Sequence, residues 1–73
     1  MKIFEKWAKE IKVGDLIRSD EMIVFQKVNR IEKGGGRIDL WLDKASLCNK
    51  QHGLTKLKLF NFDRAEILQN ERN

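Results

Sequence analysis

One cysteine and one histidine, Cys48 and His52, stand four residues apart in a chain of 73. That spacing would put both on one face of a helical turn. Two ligands do not close a zinc site, and the sequence offers no second pair. Nucleophilic catalysis needs a base and an orienting group beside the Ser or Cys, and no acid neighbours Cys48 or His52 in the chain. Asp39 and Asp43 share one face of a strand-like run, but four extended residues separate them by about 13 Å. A glycosidase pair needs its carboxyl groups within about 5–9.5 Å of each other. Three consecutive glycines, Gly34, Gly35 and Gly36, run into a strand-like segment. A phosphate-cradling loop would lead into a helix and carry a lysine there. No catalytic constellation is complete, so the sequence reads as a non-enzyme without metal or cofactor.

What remains is the chemistry of a binding surface. Residues 37–43 alternate cleanly, which sends Ile38, Leu40 and Leu42 to one face and Arg37, Asp39, Trp41 and Asp43 to the other. Trp41 is thereby an indole among charges on the face predicted to be wet, unless the N-terminal helix or the C-terminal tail covers it. Residues 55–60 alternate likewise, with Leu57 and Leu59 inward and Lys56, Lys58 and Phe60 outward. If the two runs pair, Trp41, Arg37, Lys56 and Lys58 form one contact surface. Lys27, Arg30 and Lys33 extend it on one side, and Lys44 and Lys50 continue the basic block on the other.

These residues need a sheet to position them. Val13-Gly14-Asp15-Leu16-Ile17 is a turn feeding a short strand. It resembles the first strand of many SH3-like small barrels, and this resemblance concerns the fold alone. Strands are predicted at about 15–18, 22–33, 37–43, 55–60 and 65–69. The imperfect alternation of 22–33 means either that both faces are partly covered or that a bulge lies near Gln26–Asn29. The glycines read as the hairpin loop between 22–33 and 37–43. Phe4, Trp7, Ala8 and Ile11 recur at helical spacing, predicting a helix over 4–11 that docks by Phe4 and Trp7. Phe60 and Phe62 are expected to close one end of the core. The fold expected is α+β and mostly β: an N-terminal helix packed on an antiparallel sheet of four to five strands, SH3-like in architecture, as one domain over 1–73.

Composition bounds the partners. The hydrophobic share is 41%, the charged share 36% and the net charge +4, a globular and basic balance. No apolar run approaches the ~18 residues of a membrane span, and the first residues lack a signal-peptide core, so a cytoplasmic protein is expected. Residues 27–37 carry net +3 and residues 44–60 net +4, either side of an acidic 38–43. Such a field attracts nucleic acid. A nucleic-acid-binding module comes first on this ground, with lysines on phosphates and Trp41 stacking on bases. The alternative is a protein-interaction module, for which a Trp among mixed charges resembles an interface hot spot. In size and composition the chain resembles small regulators encoded by phages or mobile elements. A monomer fits either reading, as does a homodimer paired through a free strand edge at 37–43 or 65–69.

Overall fold

A computed structural model describes residues 2–44 and 53–69. Cys48, His52 and Lys50 lie outside the described residues. Six strands follow one another: β1 (Lys2–Trp7), β2 (Leu16–Arg18), β3 (Gln26–Gly34), β4 (Arg37–Asp43), β5 (Lys56–Phe60) and β6 (Arg64–Gln69). A 3-10 turn over Ala8–Glu10 follows β1. All neighbours are antiparallel, in the order β1-β6-β2-β3-β4-β5.

The expected α+β class with a docked N-terminal helix is overturned. The described residues hold no α-helix, and residues 2–7 pair with β6 in register from Lys2↔Gln69 to Trp7↔Arg64. The helical spacing is real but serves a different geometry. Phe4 faces inward from β1, while Ala8 and Ile11 reach the core from the turn beyond it, both nearly fully buried. Trp7, expected as a core anchor, stands on the opposite face and is 36% exposed. A helix of two to three turns is marginal by itself. As a strand, the same residues satisfy their amides against β6, which would otherwise be an edge.

The core forms on one face of the sheet. Ile17, Val28, Ile38, Leu40, Leu42, Leu57, Leu59, Ala65 and Ile67 are all buried there. Burying each of the larger side chains contributes about 1.5–3 kcal/mol. No second layer covers these side chains among the described residues, so the sheet must curl around them. The 3-10 turn closes one end, where the Ala8 amide donates to the Asp63 carbonyl at 2.7 Å.

Strand β3 starts at Gln26, later than the expected 22. Met22 instead turns back, its amide donating to the Ser19 carbonyl at 2.9 Å, and its side chain is buried. The register shift between Val28 and Arg30 decides between the two readings of the broken alternation in favour of a bulge, with Asn29 as the extra residue. The β3–β4 hairpin turns on Gly35 (φ 58°) and Gly36 (φ 76°), a pair of left-handed conformations open to glycine at little cost. Strands β4 and β6 each have neighbours on both sides, so neither is a free edge; the edges are β1 and β5. Phe60 and Phe62 do not close the core: they are 60% and 76% exposed. No helix among the described residues is long and apolar enough to cross a membrane.

Among the described residues, one polar side chain sits inside. Gln26 is fully buried. Its Nε2 donates to the Leu54 carbonyl and its Oε1 accepts from the Leu54 amide, both at 2.8 Å. The carboxamide thus imitates a strand neighbour and fixes the chain just before β5. Gln26→Leu should lower the stability to urea by about 1–3 kcal/mol, because the Leu54 amide and carbonyl lose their partner. An unchanged or raised midpoint would contradict this.

Candidate nucleic-acid interface

The pairing of β4 with both its neighbours builds the outer face in cross-strand rows. Arg30, Trp41 and Lys56 form one row, Glu32, Asp39 and Lys58 the next, and Gly34, Arg37 and Phe60 the last; Lys27 stands opposite Asp43. Trp41, Arg37, Lys56, Lys58, Lys27 and Arg30 therefore share this surface. Lys33 departs from it. It pairs with the buried Ile38, so it leaves on the inner side at the sheet's end, and its Nζ donates to the Lys9 carbonyl at 3.1 Å. Lys44 follows β4 and is half-buried.

Trp41 is half-buried, and what covers it is its own row. The Arg30 guanidinium and the Lys56 ammonium each lie 4.8 Å from the ring centroid, reaching over from the strands on either side. The role expected of Trp41, a bare platform for a base, does not suit a ring already engaged by two cations. The indole instead acts as a mount, holding two long, otherwise mobile side chains at fixed positions.

The charges on this face are unequal in height. Asp39 is 14% exposed in its side chain, and Arg37, 3.6 Å from it, is 53% exposed. Arg30 pairs with Glu32, and the arginine is again the more exposed partner. The carboxylates that flank Trp41 in the sequence would repel phosphate if they projected. Asp39 is sunk between Arg37 and Lys58, its neighbours along the strand and across it, and the cations project beyond it. The outer face of β3, β4 and β5 carries Lys27, Arg30, Arg37, Lys56 and Lys58 against Glu32, Asp39 and Asp43. A shallow depression of about 340 Å³ lies here, lined by Arg37, Asp39, Lys56 and Lys58.

The rest of the outer surface is neutralised. Arg18 donates from both Nε and Nη2 to Oε1 of Glu66, at 3.0 and 2.8 Å, and Arg64 lies 3.4 Å from Glu5. A larger depression, about 370 Å³, carries Glu5, Asp20, Glu21 and Asp63 against Lys58 and Arg64. Its sign is wrong for a polyanion, so size does not decide the site. Among the described residues, no three His, Cys, Asp or Glu side chains come together to hold a metal ion.

The sequence reading missed the surface role of Phe60, although its alternation already placed that ring outward beside Lys58. It also missed Phe62, Trp7, Lys9 and Arg64, which the structure gathers at one end of the sheet. A period-2 reading of residues 2–7 would have put Trp7 outside.

Trp41→Ala should cost about 1–2 kcal/mol, the worth of two cation–π contacts at a partly exposed ring. Urea unfolding measures it. A loss above ~4 kcal/mol would show the ring to be part of the core.

The chain matches no protein family model, no curated protein and no solved structure.

Proposed function

We propose that this protein is a non-enzymatic binding module that contacts nucleic acid through the outer face of β3, β4 and β5. The observation that carries the reading is the difference in height between the charges: Asp39 is recessed at 14% while Arg37 stands out at 53%. Arg30 and Lys56, propped on Trp41, extend the row of cations across three strands. Such a face offers phosphate a line of fixed positive charge without requiring any particular base sequence. Lys27 and Lys58 lengthen the line, and Arg37 supplies a planar fork suited to phosphate.

A protein partner is the other occupant such a face could take, and salt dependence separates the two. Binding of a labelled oligonucleotide should weaken steeply with salt. Lys56→Ala and Lys58→Ala should each reduce the slope of log K against log salt by about 1, one phosphate contact apiece. A slope unchanged by both substitutions, or no binding at low salt, would overturn the proposal.

A further inference from the structure

We propose that one end of the sheet, where Trp7, Phe60 and Phe62 emerge among cations, is a base-stacking site that makes the module selective for single strands. This inference rests on the nucleic-acid reading of the adjoining face.

Three contacts gather this end from distant parts of the chain. The Ala8 amide donates to the Asp63 carbonyl at 2.7 Å, and the Asn61 amide donates to the Gly36 carbonyl at 2.9 Å. The Lys33 ammonium donates to the Lys9 carbonyl at 3.1 Å. The 3-10 turn, the β3–β4 hairpin and the β5–β6 turn thereby meet. Lys33, which the β3–β5 face loses, is gained here.

The aromatic side chains at this end are held outward by local structure. Phe60 and Asp63 close the β5–β6 turn: the Phe60 amide donates to Oδ2 of Asp63 at 2.8 Å, and the Asp63 amide donates to the Phe60 carbonyl at 3.0 Å. That turn lifts Phe62 to 76% exposure. Phe62 and Trp7 meet edge to face, with centroids 6.3 Å apart and planes at 86°. Phe60 lies opposite Arg37 in the last cross-strand row, so this end is continuous with the cationic face.

The charge here is positive and partly free. Lys9 lies 5.5 Å from the Phe62 centroid and Arg64 lies 4.2 Å from that of Trp7. Lys33 and Arg37 add to them. Of the nearby carboxylates, Asp63 is committed to the turn, Glu5 to Arg64 and Asp39 to Arg37, which leaves Glu10 here and Asp20 and Glu21 on the far side of Arg64, in the acidic depression. Exposed rings interleaved with cations are what unpaired bases and their phosphates require; a base in a duplex already has both faces stacked. A protein hot spot also uses exposed aromatic anchors, but they are desolvated together with a well-packed surround when the partner docks. Phe60 and Phe62 stand out in water with cations instead of an apolar surround as neighbours, which favours the nucleic acid; Trp7, 36% exposed and faced by Arg64, backs Phe62 and is not itself the platform.

Fluorescence anisotropy tests this with a labelled oligothymidylate of about 12 nucleotides, free and annealed to its complement. Phe62→Ala should weaken binding of the single strand by about 5- to 150-fold, the range for losing one stacked base, and leave duplex binding unchanged. Phe62→Leu guards against a folding artefact: it should melt like the parent and still lose single-strand affinity. If Phe62→Ala leaves single-strand binding intact while Lys58→Ala weakens it, the stacking site is refuted and the cationic face stands. If both strands weaken equally, stacking is likewise refuted. Failure of the parent protein to bind either probe at low salt would overturn the underlying reading as well, and the exposed rings would then await a protein partner.

Discussion

A single antiparallel sheet with no second layer among the described residues must bury its apolar residues against itself. That constraint organises the whole molecule. The side chains that the strands bury leave the sheet on the concave side, joined by Ala8, Ile11 and Met22 from the turns, and the same pleat sends the residues between them to the convex side. In β4 the division is plain: Ile38, Leu40 and Leu42 are buried, while Arg37, Asp39, Trp41 and Asp43 alternate with them on the outside. Gln26 is the exception that fits the rule. It is buried, but its amide is fully occupied by the backbone of Leu54, so it costs no unmet hydrogen bond.

The convex side then acquires two characters through pairing. Over β1, β6 and β2, acids and bases meet across strands and cancel, as Glu66 does with Arg18 and Glu5 with Arg64. Over β3, β4 and β5, cations outnumber acids, and Trp41 in the middle row organises them. Ion pairs at this level of exposure add little to stability. Their consequence lies in position: they fix which charges stand high and which lie low. The same side chains that contribute weakly to folding thus define the surface a polyanion would meet.

Much of the proposed binding face was legible in the chain because period-2 alternation is a local signal. Residues 37–43 and 56–60 carry it without interruption, and the neighbours of Trp41 followed once those two runs were paired. The bulge near Asn29 left its mark as a broken alternation. The N-terminal segment was misread because Phe4, Ala8 and Ile11 do share a burial environment, reached by a strand and a turn instead of a helix; spacing alone does not distinguish the two routes. Gln26 could not be anticipated, since its partner Leu54 is 28 residues away. The gathering of Trp7, Phe62, Lys9 and Lys33 at one end depends on long-range backbone contacts that no local pattern encodes.

On the proposed function, nucleic acid meets the convex face of β3–β5 and not the neutralised half. The most direct measurement is the change in backbone amide resonances of isotope-labelled protein on adding oligothymidylate at low salt. The largest shifts are expected at Arg30, Trp41, Lys56, Lys58 and Phe60, with Arg18, Glu66 and Leu68 nearly still. Shifts centred on β2 and β6, or none at all, would contradict it.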